Sequence, residues 1–500
     1  MLIRFILKII AKIAKVQIYA WAENPIKTQK SQLKYILEKA KNTKFGIDHN
    51  FSKIFEYKDF KSRVPIRDYE DLKEYIELIK QGEANILWPG KPIYFAVTSG
   101  TTSGAKHIPI TKHSLKNHLS GPKNALLLYI AQTGKTKFIK GNYIFIQGSP
   151  ILTKTSGILT GRLSGISAHH VPFYMKKNMH PKWETNTINN WEEKVDNIVK
   201  ETIDEDMTII SGIPSWVQMY FEKIVEKTNK KLSVVFPNFN LLVYGGVSFE
   251  PYKKRFKNLI GKNIDSIELF PASEGFFAFQ DKQDQKDLLL ILNSGIFYEF
   301  IEEQGFKQNE DKRISLSGVE KNKNYVMIIS TSAGLWGYNT GDTVKFTSLK
   351  PYRIIVTGRI TQSLSAFGEH VILKEAELSI EKAIYKTGLV VKEFTVAPQF
   401  KSELSPACHE WFIEFEDIQV DTKTFAKELD IELRNQNKYY RDLIEGKIIA
   451  KPKIKKIEKD GFKKYMKSIG KLGGQNKIPK ISSNRKIAHQ LYKLNLVISN

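Results

Sequence analysis

Five short apolar runs, NYIFIQG, LLVYGG, DSIELF, DLLLILNSGIFYEFI and NYVMIIST, stand between Gly, Pro and Asn punctuation in the middle of this chain. Runs of that length and make-up read as strands. Around them the apolar spacing turns helical, through QLKYILEKAKNT, through DYEDLKEYIELIKQGE with Asp68 or Asp71 as a cap, and through KHSLKNHLSGPKNALLLYIAQTG after Thr111. The expected class is therefore α/β, with mixed sheets flanked by helices. At 500 residues the chain exceeds one ordinary core. The boundary is placed at GRITQSL, beginning at Gly358, where the strand-like YRIIV ends. Beyond it the pattern reads as helix (KEAELSIEKAIY), strand (EFTVAPQF), strand (HEWFIEFED), helix (TKTFAKELDIELRNQNKYYRDLI) and a basic strand (IIAKPKIKKIEK). This gives a large domain over 1–357 and a small α+β domain over 358–500.

Composition removes several functions. Cys408 is the one cysteine, so an intrachain disulfide and a cysteine metal cluster are excluded, and a reducing, cytoplasmic setting is expected. The opening MLIRFILKIIAKIAKVQIYAWAENP resembles a secretion signal, but Lys8, Lys12 and Lys15 interrupt the apolar run. It reads as an amphipathic helix, suited to peripheral membrane contact, although packing on the protein body is the commoner fate. No integral membrane segment is expected. The net charge of +24 raises the question of nucleic acid. Residues 447–486 hold fourteen Lys or Arg against Glu458 and Asp460. No nucleic-acid module accompanies this basic zone, which reads as a solvated face or as help in holding a polyanionic small molecule. His169 and His170 are expected on a strand with opposite orientations and structural roles. Trp183 and Trp191 read as packing residues, while for Trp216, after the loop SGIPS and before a helix, packing and substrate stacking both stay open. No HExxH spacing occurs.

The stretch VTSGTTSGAKHIPIT, Val97 to Thr111, is either a surface loop or a cradle for phosphate oxygens. A cradle needs glycines for close backbone approach, hydroxyl donors and a cation, and TSGTTSGAK has all three. It is not a Walker A loop, because Gly100 and Gly104 are too close and no Lys-Ser or Lys-Thr pair follows. Three other segments add weight. LLVYGGVSFEPYKKRF places Gly245 and Gly246 at a strand end before a helix, ELFPASEGFFAFQ ends a strand in Ala272, Ser273 and Glu274, and STSAGLWGYNTGDTVKF sets Asp342 after a turn at Gly341. Strand-end carboxylates hold ribose hydroxyls or a Mg²⁺ that bridges phosphates. Singly these segments are glycine turns and solvated acids; together they outline a nucleotide site.

The ordered set TSGTTSGAK, YGGVSFEP, FPASEG, YNTGDTVKF and GRITQSLSAFGEHV resembles the adenylate-forming superfamily. More closely, the chain resembles the bacterial branch of the auxin-responsive (Gretchen Hagen) family of acyl acid amido synthetases, from KFGIDHNFSKI to GKLGGQNKIPKISSNRK. The resemblance implies a large adenylate-forming domain with a smaller mobile cap. It implies ATP phosphates on Thr98, Ser99, Gly100, Thr101 and Thr102, with Lys106 nearby. Adenine falls to Gly245, Gly246 and Val247, with Ala272 and Ser273 beside adenine and α-phosphate. Glu274 is implied for Mg²⁺, Asp342 for ribose, Arg359 for the hinge, and Lys477 for the reacting carboxylate and α-phosphate. The implied reaction activates a carboxylic acid as an acyl-adenylate and passes it to an amine, in the family usually an amino acid. Two other readings compete: transfer to a thiol such as coenzyme A, and a non-catalytic basic protein that binds nucleotide or nucleic acid. Relatives commonly carry arginine where Gly337 stands, basic residues at Thr361 and Gln362, and arginine at Lys480. The acyl acid is not readable from the sequence.

Overall fold

The structure is a computed structural model that describes residues 2–98, 106–246, 249–308, 312–360, 363–364, 366–367, 369, 371–400, 405–417, 419–446, 449–473, 476–482 and 484–498. The chain divides into two compact units. The first is Met1–Ile213, Val235–Gly246 and Ile264–Val356; the second is Pro214–Val234, Val247–Asn263 and Thr357–Asn500. Two segments ahead of residue 357 thus belong to the second unit.

The strands that organise the first unit are β1 (Tyr94–Thr98), β2 (Lys106–Ile110), β3 (Asn142–Ile146), β4 (Ile158–Gly161), β5 (Met207–Gly212), β6 (Leu241–Gly245), β7 (Asp265–Ala272), β8 (Gly275–Phe279), β9 (Asn324–Thr331) and β10 (Tyr338–Leu349). Among the described residues twelve strands join into one sheet. Within it β3, β5, β6 and β7 run parallel, with Ile144 opposite Ile210, Ile210 opposite Leu242 and Gly245 opposite Leu269. Their carboxyl ends therefore share one rim, the place where open α/β sheets bind ligands. β8 turns back antiparallel to β7, with Ala272 opposite Gly275, so Ser273 and Glu274 form the turn. All five residues of β8 are buried, as expected for a strand covered on both faces. The run DLLLILNSGIFYEFI is two strands, Leu288–Leu290 and Ile296–Glu302, because Gly295 turns the chain at φ +78°.

A second, four-stranded sheet contains β1 between β2 and β4. β1 is antiparallel to β2 and parallel to β4, with Ala96 opposite Gly161. The first helix, Leu2–Glu23, buries Ala11, Ile18 and Ala22 in a cluster with Leu128 and Ile130 of the helix Lys112–Thr133. Strand Tyr352–Arg359 is tied inward by charge. The Arg353 guanidinium donates to both oxygens of Asp281 at 2.5 and 2.7 Å, and Tyr19 of the first helix donates to the same carboxylate. Asp287, 3.3 Å from Arg353, accepts from Thr347 of β10 at 2.6 Å. The pair is dry, with Arg353 3% and Asp281 0% exposed at the side chain.

In the second unit Cys408–Phe415 lies between Val391–Gln399, antiparallel, and Ala450–Lys456, parallel. Phe394, Trp411, Phe425 and Leu429 form its core with the helices Leu373–Thr387 and Thr422–Gln436. The single helix expected over TKTFAKELDIELRNQNKYYRDLI is two. Asn437 ends the first through its N–H to Leu433, and its side chain accepts the Tyr440 N–H at 2.8 Å to start the second. Cys408 is buried in the middle strand, and burial pushes its thiol up to about 11, a structural rather than reactive cysteine.

Arg353→Met leaves Asp281 buried without its partner. A loss of about 3–5 kcal/mol is expected in denaturant unfolding, and Asp281→Leu added to Arg353→Met recovers most of it.

Candidate active site

Thr98 ends β1 and Lys106 starts β2 directly opposite it, so the two bracket the serine, threonine and glycine loop. Ser99, Gly100, Thr101 and Thr102 lie outside the described residues. The Lys106 ammonium stands 5.6 Å over the Tyr69 ring, whose hydroxyl accepts the His107 N–H at 2.8 Å. Past β2, Thr111 and Ser114 form a reciprocal capping box that starts the helix Lys112–Thr133. Thr111 also donates to the Ser332 carbonyl at 2.7 Å. The Asn117 amide then grips the β8 backbone, accepting from Phe276 N–H at 2.6 Å and donating to its carbonyl at 3.0 Å. The chain that leaves the loop is thus fastened to the strand that follows Glu274.

On the parallel rim, β6 ends at Gly245 beside β7. A Cβ at 245 would lie 2.5 Å from the Leu269 carbonyl oxygen, so only glycine keeps this strand spacing. Gly246 follows at φ +82° and is exposed, which presents backbone at the strand end. Val247 lies outside the described residues. The next strand carries Ala272, Ser273 and Glu274, all half-buried, in the turn between β7 and β8. The structure therefore brings Gly245, Gly246, Ala272, Ser273 and Glu274 to adjoining strand ends.

Asp342 is placed differently, in the antiparallel half. Strands Leu288–Leu290 and Tyr352–Arg359 separate its strand, β10, from β8. The expected turn at Gly341 is a β-bulge. Ile328 faces Asn339 and Val326 faces Thr343, so Met327 opposes Thr340, Gly341 and Asp342 together. Thr340 holds the bulge, donating to the Met327 carbonyl at 3.0 Å and accepting from Asp342 N–H at 3.1 Å. Asp342 is buried, 8% exposed as a residue.

Arg359 and Lys477 belong to the second unit, and both are exposed. The tail behind Lys477 is pinned along strand Val391–Gln399. Thr395 donates to the Pro479 carbonyl at 2.6 Å, and Val396 N–H to the Lys480 carbonyl at 2.9 Å. Lys480 itself is buried. Its ammonium donates to Tyr252 at 3.1 Å, contacts Glu393, and lies 5.3 and 5.1 Å over the rings of Tyr252 and Phe394. Burial pushes it down to about 7, while Glu377 pulls the other way. Thr361 and Gln362 lie outside the described residues.

Arg162, which sequence reasoning passed over, directly follows β4 at the end beside Thr98. It is half-buried, its guanidinium makes no hydrogen bond or ion pair among the described residues, and burial holds it below the ordinary arginine range. Its side chain lies over Gly148, where a Cβ would approach its Cδ to 2.9 Å. Near it Lys194, 1% exposed, donates to Gln147 O at 3.1 Å, Asn186 O at 2.6 Å and Asn186 Oδ1 at 2.8 Å. Burial and the Arg162 charge push Lys194 down to about 8. Gln147, also 1% exposed, has neither side-chain atom hydrogen-bonded. Two cations thus lie near one another, with no acid paired to either among the described residues. The only signal in the sequence was a lone arginine after a β-like stretch.

His169 ends a helix, Leu163–His169, rather than occupying the expected strand, because SGISAH buries Gly165, Ile166 and Ala168 at helical spacing. Its Nε2 is 2.9 Å from the Pro150 carbonyl, and His170 Nε2 is 3.0 Å from the Tyr94 hydroxyl. Both are structural. Trp191 and Trp216 are buried, and Trp183 packs edge-on against His169.

This architecture is an adenylate-forming fold. The solved structure of the acyl acid amido synthetase AtGH3.15 in complex with 2,4-DB matches with a TM-score of 0.80 at 16% identity, covering 98% of this chain and 96% of that one. A 2-hydroxyisobutyryl-CoA ligase in the postadenylation state matches at 0.55 and 12% identity, covering 98% and 90%. The chain belongs to the GH3 family: the family's N-terminal domain matches residues 14–264, its central domain 289–359 and its C-terminal domain 374–486. It is similar to indole-3-acetic acid-amido synthetase GH3.2 of Arabidopsis thaliana, 21% identical over 65% of this chain and 72% of that protein. It is also similar to jasmonoyl-L-amino acid synthetase JAR4 of Nicotiana attenuata, 22% identical over 64% and 66%.

Gly337 sits at φ +59°, and a Cβ there would lie 2.5 Å from the Pro65 carbonyl oxygen. Gly337→Ala is expected to lower stability by about 1–3 kcal/mol through left-handed strain and this clash, read as a fall in thermal midpoint.

Proposed function

We propose that this protein is an ATP-dependent acyl acid amido synthetase. The observation that carries the proposal is the match to all three GH3 domains on a chain whose parallel rim joins a glycine strand end to an acid-bearing turn. In this reading ATP is a substrate. Its phosphates lie along Thr98, Ser99, Gly100, Thr101 and Thr102 with Lys106 beside them. The adenine lies against Gly245, Gly246 and Val247, with Ala272 and Ser273 at the α-phosphate, and Asp342 takes the ribose hydroxyls. The exposed, left-handed backbone of Gly246 suits a flat ring pressed on main chain.

Glu274, half-buried in the turn between β7 and β8, is the carboxylate assigned to Mg²⁺, which is commonly held by one or two carboxylates together with substrate phosphates. When bound it neutralises phosphate charge. The protein's own part is positioning and cation placement. Lys477 meets the substrate carboxylate as its oxygen attacks the α-phosphorus and pyrophosphate leaves. The amine nitrogen of an amino acid then attacks the acyl carbon, the C–O bond to AMP breaks, and the amine loses a proton. We assign residues 358–500 to a cap that hinges at Arg359 and shields the mixed anhydride from water. The buried single thiol suits a reducing compartment, and the protein is placed in the cytoplasm.

Arg162 deepens the reading. An unpaired guanidinium on the rim beside Thr98, reinforced by Lys194, is assigned to a substrate carboxylate.

ATP–pyrophosphate exchange with Mg²⁺ across aromatic and aliphatic acids, followed by AMP release with amino acids or coenzyme A, tests the reaction. Acid-dependent exchange and AMP release driven by an amino acid are expected; release driven by coenzyme A alone would replace amide formation with thioester formation. Lys477→Ala is expected to cut exchange about 100-fold or more with an unchanged unfolding midpoint. Arg162→Ala is expected to raise the KM of one carboxylate substrate about 10- to 100-fold, with Arg162→Lys recovering part. A shift in exchange identifies the acyl acid, and a shift confined to amide formation identifies the amino acid. Unchanged KM values for both would remove the assignment.

A further inference from the structure

The helix Leu2–Glu23 has two apolar faces. One is used: Ala11, Ile18 and Ala22 pack into the first unit. The other is not. Phe5, Ile6, Ile9, Ile10, Ile13 and Val16 are 63, 45, 43, 44, 53 and 71% exposed. At 100° per residue these six share one outward stripe, opposite the packed face. A continuous exposed apolar stripe of this size marks an interaction surface.

The charges beside it identify the partner. Lys8, Lys12 and Lys15 border the stripe on one side, all exposed and without an ion pair among the described residues. Residues 2–22 contain no Asp or Glu. Lys8 reaches the end of the neighbouring helix, its Nζ 3.9 Å from where a Gly134 Cβ would stand. The segment that follows adds exposed Lys137 and Lys140 around exposed Ile139. Two copies pairing through this stripe would bring their lysines together with no acid among residues 2–22 of either helix to offset them. An anionic bilayer complements both features, since its acyl region takes the apolar side chains while lysine stems extend to the phosphates. No helix of the described residues is long and apolar enough to cross a membrane, so the contact lies along the surface.

We propose that the outer face of the helix Leu2–Glu23 seats the protein on anionic lipid bilayers, with Phe5, Ile6, Ile9, Ile10, Ile13 and Val16 in the interfacial layer and Lys8, Lys12 and Lys15 on lipid phosphates. The inference stands apart from the enzymatic reading, because none of these residues has a role in the proposed site.

Co-sedimentation of the full chain with vesicles of equimolar phosphatidylglycerol and phosphatidylcholine, against phosphatidylcholine alone, tests it. Binding to the anionic vesicles that weakens as salt rises is expected. Lys12→Gln should lower the partition coefficient about fivefold. Ile9→Glu with Ile13→Glu should abolish binding while circular dichroism and ATP–pyrophosphate exchange stay unchanged. Sedimentation velocity supplies the opposing arm. A dimer that Ile9→Glu with Ile13→Glu converts to monomer, in protein that ignores vesicles, would overturn the proposal in favour of a second copy. A monomer that ignores anionic vesicles, or one that binds both vesicle types equally at every salt concentration, would overturn it as well.

Discussion

A buried charge that cannot leave organises the first unit. Arg353 and Asp281 are dry and doubly hydrogen-bonded, and each has additional partners. Tyr19 brings the first helix to Asp281, while Asp287 and Thr347 bring β10 to Arg353. Asp281 lies just beyond β8, the strand that leaves the Glu274 turn. One ion pair therefore fixes the first helix, the acid-bearing hairpin and two antiparallel strands. Isolated, such a pair adds little net stability, because desolvation offsets the attraction. Its effect is specificity of arrangement: a register in which either charge lacked its partner would be far less stable.

The rim gains its chemistry from the same economy of geometry. Four parallel strands end together, and the two features that follow, a glycine pair and a two-residue turn with one acid, require only short segments. The helix Lys112–Thr133 is fastened to the same hairpin, because Asn117 satisfies both backbone groups of Phe276 while Gly121 lets the helix approach the Phe276 ring. Helix and hairpin act as one piece.

Much of this was legible in the sequence, for identifiable reasons. LLVYGG and the centre of NYIFIQG are near-continuous apolar runs, as in strands covered on both faces, while DSIELF stood out by its Ile, Leu and Phe between turn signals. The GG and ASEG signatures were visible because strand ends need particular residues. What was hidden depended on distant partners. The division of DLLLILNSGIFYEFI follows from one positive φ at Gly295, and the break at Asn437 from a cap inside a pattern that remains helical on both sides. Arg162 escaped notice because its place beside Thr98 comes from the parallel pairing of β1 with β4, which no local spacing encodes. The histidine pair was misplaced on a strand because a seven-residue helix leaves too short a periodic trace.

The contact between Gly245 and the Leu269 carbonyl governs how loss-of-function alleles at this rim should be interpreted. A side chain at 245 would force β6 and β7 apart before any nucleotide was involved, and one at 246 would contest a left-handed backbone. Genetic damage at the glycine pair therefore reports on sheet spacing, however strongly it abolishes turnover. The acid at the turn is the more informative position, because Glu274 to Gln changes charge while leaving volume and main chain alone. A selection experiment across this rim would thus divide in two, with the glycines intolerant of any change and Glu274 intolerant only of lost charge, and that contrast separates architecture from chemistry without a bound ligand.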